Sequence, residues 1–589
     1  MTVERVRFTP RSIGPRSIGP DDRQSVVDAS GRRASQAHVA QSERLVRRLY
    51  PVGEHAWSLV GNGLSNQSFV RGPDGIIAID SGESVQEMRA AIAELRTVTD
   101  APIVAVLLTH FHYVGGTAAV LEEVAATRGD DAAAALPVWG HAAIDANRAR
   151  IGGEIAPAYL RGAMEQFGLA MPADGEDGLV NVGLGLAYRN PEHAPSTEGY
   201  VAPTHTFDAP GTIAVAGLEI EVTPAPSDAD DSVTYWFPAL GLAVHNLVWP
   251  ALFNVFAIRG EEYRDPRVLV RGIDHLRGLE PDHLVCTHGP PMSGREEIAR
   301  RVTRVRDAIQ FLWDQTVRWT NRGATGPELA HLVVLPEIFG DDFLTSELYG
   351  IVEHHTRQIR AGLFGFFDGD PAQLLPLAPS ERSARMLEAM GGADAVRSRA
   401  AAALDADDVR WALELAAILV ADASATEEDR RLLADVLRTV ARRTPAANIR
   451  NWCITRARDL DGSGDLSRFR THRFSRGQVL TGPVDSVVHV LRVLVEPDRL
   501  TGVDLHLAVV LDGERTGIHL RNHVAVPTDG SGATATLSTT RAVWADLLSG
   551  RTTLTAALGE GAVEVDGDGA AVVTALGALD LPGFAAAPV

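Results

Sequence analysis

A chain of 589 residues, 45% hydrophobic and 6% aromatic, is too long for one core and is expected to form three domains. The formal net charge of -21 argues against nucleic acid as a partner, because such readers present a basic face to phosphates. No Lys occurs anywhere, which excludes Schiff-base chemistry, a P-loop lysine and a Ser-x-x-Lys nucleophile.

The apolar runs, Ile103–Leu108 and Leu415–Val420 among them, fall far short of the ~20 residues a membrane span requires, so no span is expected. Cys286 and Cys453 are the only cysteines and provide neither a disulfide framework nor a Cys-rich zinc site. The N-terminal stretch scatters Arg and Pro among polar residues and lacks the apolar core of a secretory signal, so a cytoplasmic location is expected. Residues 1–40, with Arg-Ser-Ile-Gly-Pro doubled at 11–20, read as a disordered tail.

Short alternating runs broken by Gly and Asn (Trp57–Val60, Ser68–Val70, Gly75–Asp80) predict strands and hairpins. Helical spacing follows over Ser84–Leu95. Ile103–Leu108 is a buried strand closing on Thr109-His110, and Gly115-Gly116 opens another helix. Strand alternation returns over Gly211–Pro238, and a second apolar run, His283–Cys286, ends on Thr287-His288. Two strands thus deliver a Thr-His at the C-terminal end, where open α/β sheets assemble their sites. From about Gly294 to Thr444 the pattern is helical. After Asn448, Val487–Leu494, Asp504–Leu511 and Thr534–Ser538 read as strands and Arg541–Leu548 as a helix, which makes a small α+β region.

His110-Phe111-His112 before a Gly-Gly is the segment richest in chemistry, since imidazoles at i and i+2 in a tight loop can converge on one cation. His288 on a matching strand end, with Asp228, Asp230 and Asp231 in a loop between, strengthens that reading. Leu108-Thr-His-Phe-His, Gly183-Leu-Gly, Ala202-Pro-Thr, Phe253-Asn-Val-Phe-Ala-Ile-Arg-Gly with Arg264-Asp265, Phe311-Leu-Trp-Asp-Gln-Thr, Tyr349-Gly-Ile-Val-Glu-His and Gly365-Phe-Phe-Asp-Gly-Asp-Pro, in that order, resemble the alkylsulfatase branch of the metallo-β-lactamase superfamily.

The resemblance implies an αββα metallo-β-lactamase-like domain over 41–293, an all-α dimerisation domain over 294–444 and a sterol-carrier-like α+β domain over 445–589. It implies a homodimer, and a small amphipathic anion as substrate. The family binds two zinc ions through His-x-His-x-Asp-His-x-Gly-Gly, two acidic ligands and a distant His. Here His110-Phe-His112-Tyr-Val-Gly-Gly is two residues short and lacks the Asp-His pair. His110, His112, Asp228, His245 and His288 remain as candidate ligands for one divalent metal; zinc is the family expectation, and Fe(II) or Mn(II) suits the same donors. Asn254 and Arg259 fall where the family holds sulfate, and His354 where it has a histidine near the leaving oxygen. The expected activity is metal-dependent hydrolysis of an alkyl sulfate or related ester. The alternatives are a single-metal enzyme of another reaction class, lyase or oxidative, and a non-catalytic lipid-binding dimer.

Overall fold

The computed structural model describes residues 25–467, 474 and 476–584. The doubled pentapeptide lies outside them. Residues 25–40 are not the tail expected for them: Ser25–Val27 pairs with Arg33–Ser35, and Ser35 caps the helix Gln36–Gln41 by accepting from the His38 N–H. Contacts divide the chain into two units, residues 1–144 with 162–466, and residues 145–161 with 467–589.

In the first unit, seven strands run in the order Arg48–Val52, Ala56–Val60, Gln67–Gly72, Gly75–Ile79, Ile103–Leu107, Val138–His141, His205–Phe207. The first three pairings are antiparallel and the last three parallel. A six-stranded sheet follows: Gly211–Val215, Leu218–Pro224, Val233–Phe237, Leu242–His245, His283–Cys286, Met292–Ser293. The inner faces meet in one core, Val70, Ile77, Ile79 and Leu107 against Ile220, Val222, Tyr235 and Val244. Alternate residues of the second sheet, Ala243 and Leu284, face outward onto Leu269 and Ile273 of helix Pro266–Gly278 and Val302 of helix Arg295–Thr320. Helix Val85–Leu95 packs on the outside of the first sheet beside helix Thr117–Arg128. Period-2 alternation lets each sheet be buried on both faces, and the result is the expected αββα sandwich.

The helices that follow include Val352–Phe364, Ala393–Asp405, Val409–Ala421 and Glu427–Arg443. Ala447–Leu460, which lies beyond the expected boundary at 444, buries Ala457 and Leu460 with Leu433 and Val436 of Glu427–Arg443.

The second unit carries a five-stranded sheet ordered Val524–Thr528, Glu514–Arg521, Leu505–Leu511, Ala535–Thr539, Val563–Asp566. Val487–Leu494, expected as a strand, is helical instead: Val484–His489 runs into a 3-10 turn over Val490–Leu494. Of its buried positions, Val484, Val487, Val488, Leu491 and Leu494 have helical spacing, with Val490 buried beside them, and this overrides the strand preference of the β-branched run. Among the described residues no helix is long and apolar enough to cross a membrane.

Candidate metal centre

Strand Ile103–Leu107 ends at Thr109-His110, and a single 3-10 turn, Phe111–Tyr113, brings His112 back beside His110. The loop before Val233–Phe237 delivers Asp228. Donor atoms of His110, His112 and Asp228 lie within 4.8 Å of one another. The Asp228 Oδ2 is 2.8 Å from His112 Nδ1 and 3.5 Å from His110 Nε2. Cross-sheet bonds fix the strand ends: Val233 N–H donates to Thr109 O at 3.0 Å, and the Tyr235 hydroxyl to Leu108 O at 2.7 Å.

The protons follow from the partners. Asp80, at the end of the neighbouring strand, accepts from Thr109 N–H at 2.8 Å and from the Thr109 hydroxyl at 2.7 Å. Thr109 Oγ1 lies 2.9 Å from His110 Nδ1. With its hydrogen directed at the carboxylate, that hydroxyl accepts from Nδ1–H, so Nε2 of His110 carries the lone pair facing Asp228 and His112. This is the tautomer a cation requires, oriented by a second layer of hydrogen bonds. Burial lowers the His110 pKa. For His112 burial would do the same, but Asp228, and after it Glu261, raise it to about 9. Asp228 is held well below the ordinary carboxylate range: burial opposes ionisation, and Arg264 followed by His112 overcomes it. Arg264 donates to both the Asp228 side chain and its carbonyl. Two imidazoles and one ionised carboxylate suit one divalent cation.

His288 is placed beside this group but turned to other partners. Its Nδ1 lies 3.0 Å from Leu64 O and its Nε2 3.1 Å from the Tyr113 hydroxyl. A carbonyl can only accept, so Nδ1 is protonated and Tyr113 donates to Nε2. The shortened motif has thus put a phenol against the imidazole of the second strand end.

His245 is not gathered with His110, His112 and Asp228, and the ligand role expected of it is corrected. It is fully buried, accepts from Leu247 N–H on Nδ1 at 2.9 Å, and sets Nε2 3.5 Å from Cys286 Sγ. Burial lowers its pKa to about 3. Alternation along the strand explains this: His245 points to the core, and Asn246 turns to the site, its Nδ2 3.4 Å from His110 Nε2. Trp249 Nε1–H donates to Asn246 Oδ1 at 2.9 Å and so fixes which end of the amide faces His110.

Asn254 lies near Arg264, which donates to its main-chain carbonyl at 2.7 Å, and neither polar atom of its fully buried side-chain amide has a hydrogen-bond partner among the described residues. Arg259 is paired with Glu261, not with Asp265, which caps helix Pro266–Gly278. Of the two adjacent histidines, it is His355 that faces Asn254. His355 and Asn254 bound the same space at Gly350, and His355 is fully buried with neither ring nitrogen partnered among the described residues. His354 instead has Glu353, Arg357 and Arg410 as its charged neighbours. His355, and not His354, is thus the histidine beside Asn254.

Arg264, Asn246, Glu261, Tyr113 and the Asp80–Thr109 pair escaped the sequence reading. Arg264 stands inside one of the family-like motifs, Tyr113 where the metal motif is short, Thr109 in the Thr-His strand end and Asn246 beside a candidate ligand; Asp80 and Glu261 carry no signal of spacing.

Residues 60–238 match the metallo-beta-lactamase superfamily, 325–463 the alkyl sulfatase dimerisation family and 475–585 the alkyl sulfatase C-terminal family. A linear primary-alkylsulfatase of Pseudomonas sp. (strain ATCC 19151) is 31% identical over 541 residues, 88% of this chain and 99% of that protein. An alkyl/aryl-sulfatase of Saccharomyces cerevisiae is 26% identical, over 89% of this chain and 81% of its own. The solved structure of a stereoselective inverting sec-alkylsulfatase from Pseudomonas sp. superposes with a TM-score of 0.81 at 26% identity, over 93% of this chain and 87% of that one. The chain belongs to the alkylsulfatase family of the metallo-β-lactamase superfamily. Membership implies a divalent metal, and the dimerisation region supports a homodimer.

Proposed function

We propose that this chain hydrolyses alkyl sulfates with one divalent cation, zinc first among the candidates and Fe(II) or Mn(II) compatible, held by His110, His112 and Asp228. The observation that carries the reading is the convergence of those donors beside Arg259, Arg264 and the unpartnered Asn254 amide, in a chain with alkylsulfatase relatives over most of its length. A cation bound there supplies Lewis acidity. The chain's own groups do the rest: Arg264 keeps Asp228 ionised, the Asp80–Thr109 pair orients His110, and Arg259 and Asn254 offer donors to a tetrahedral anion. His355, which borders the same space at Gly350 as Asn254, is the histidine assigned to the ester oxygen. The substrate class is an amphipathic anion, and the C-terminal region is read as a sterol-carrier-like domain. A division into a metal-binding region, a helical region and a C-terminal α+β region, and a cytoplasmic setting, belong to the same reading.

Sulfate release from dodecyl sulfate by zinc-reconstituted protein tests it. Turnover should vanish with a chelator and fall by about 10²-fold or more in Asp228→Ala, which also leaves Arg264 without its buried carboxylate. The missing Asp-His pair and the Tyr113–His288 hydrogen bond favour, as a second reading, a different reaction at one metal. Metal-loaded protein that releases no sulfate would select it.

A further inference from the structure

Arg259 and Glu261 are two residues apart, and their side chains are only 5% and 3% exposed. Gly260 between them has φ +94, a left-handed conformation that residues with side chains rarely adopt, and this turn lets its two neighbours meet. Arg259 Nη2 donates to Glu261 Oε2 at 2.7 Å, and the same oxygen stands 3.6 Å from His112 Nε2. Arg259 is also held from behind: its N–H donates to Gln166 Oε1 at 3.2 Å, and its guanidinium lies 5.6 Å from the centre of the Phe167 ring. The guanidinium that the proposed reaction assigns to the sulfate therefore already holds a carboxylate, and a carboxylate edge offers a guanidinium the same two-oxygen contact that a sulfate does.

We propose that Glu261 is a built-in competitor for the substrate's anionic head: it holds Arg259 before substrate enters, gives way to a tailed sulfate ester, and retakes the guanidinium once free sulfate is formed. The proposal rests on the alkylsulfatase reading and deepens it, making Glu261 the residue that sets specificity between ester and product. An intramolecular carboxylate competes at high effective concentration. A tailed ester overcomes it because every buried methylene adds affinity that bare sulfate lacks. Sulfate also carries two charges toward a pocket that already contains Asp228 and Glu261, so repulsion hastens its departure.

The test is calorimetric titration of the full chain with sodium sulfate, alongside dodecyl sulfate turnover. Glu261→Gln, which keeps the size of the side chain, should bind sulfate at least about tenfold more tightly than the unaltered chain. Glu261→Ala should do the same, and Arg259→Gln should abolish the gain in either background, with melting curves confirming the fold. Sulfate affinity unchanged in both Glu261 variants overturns the proposal, as does a gain that persists without Arg259. Turnover separates the two claims. Hydrolysis by the unaltered chain with no gain in the variants leaves the activity standing and the competitor refuted. A gain that depends on Arg259, in a chain that hydrolyses no alkyl sulfate, leaves the competition standing and refutes the activity.

Discussion

At the scale of single residues, the site is organised by who can donate to whom, and that makes the assignments testable. His355, buried and unpartnered beside Asn254, is expected to matter where His354 does not. His355→Ala should lower kcat/KM by about 10²-fold or more if it handles a proton at the ester oxygen, with His354→Ala little changed; the reverse ranking in steady-state kinetics would restore the family position. Thr109→Val removes the hydroxyl between Asp80 and His110 and should weaken metal binding about 10- to 100-fold in a competition titration with a chromophoric chelator. Glu87 carries a pH effect. Burial, then the charge of Glu83, raises its pKa from 4.5 to about 8. Its neutral form is therefore the one the fold stabilises: that contribution is complete below pH 4.5 and is lost as pH rises through about 8, at about tenfold in the folding equilibrium per pH unit between. Melting temperatures taken at pH 6 and pH 9 should fall further in the unaltered chain than in Glu87→Gln, whatever constant offset the lost acceptor for Gln67 or the Glu83 N–H introduces. Equal falls would show that the carboxyl is ionised in both states.

At the scale of elements, the 3-10 turn Phe111–Tyr113 has the most consequence. It returns the chain to Gly115-Gly116 without the Asp-His pair, and the Tyr113 ring lands against His288. Elemental analysis of purified protein should accordingly give one cation per chain, and two would mean that His288 gives up the Tyr113 hydroxyl for a metal. Much of this was legible beforehand. Thr-His at the end of two apolar strands located the site, because buried parallel strands read as continuous apolar runs and their C-terminal ends converge. Which of His245 and Asn246 faces inward was not legible, since a one-residue uncertainty in register reverses every side chain of a strand. The same ambiguity, on a helix where neighbours point about 100° apart, exchanged His354 for His355. Glu261 was invisible for a different reason: its proximity to His112 depends on a backbone turn at Gly260, which no periodicity announces. In the last region, Val484–His489 is rich in the residues that favour strands, and only its burial at three- and four-residue intervals marks it as helix.

At the scale of the molecule, the helical region exposes apolar surface that one chain cannot explain. Phe366 and Leu375 are 87% and 89% exposed, and Leu363, Phe364, Phe367, Leu374 and Leu377 are exposed around them. Single exposed apolar residues are ordinary, but this many within one short segment mark a surface that a partner covers. The segment follows helix Val352–Phe364 and lies inside the stretch that matches the dimerisation family, so a second copy of the chain is the expected cover. Full burial of a Phe or Leu side chain stabilises by about 1.5–3 kcal/mol, and a two-fold interface uses each position twice. Replacing Phe366 and Leu375 together by Asp removes that gain and sets like charges in the contact. The unaltered chain should sediment as a dimer and Phe366→Asp/Leu375→Asp at the 63.0 kDa of a single chain, with an unchanged circular dichroism spectrum because neither side chain supports the fold of its own subunit. A double variant that still sediments as a dimer would place the interface on another face of the helical region, and a monomeric unaltered chain would leave this apolar segment for a different partner.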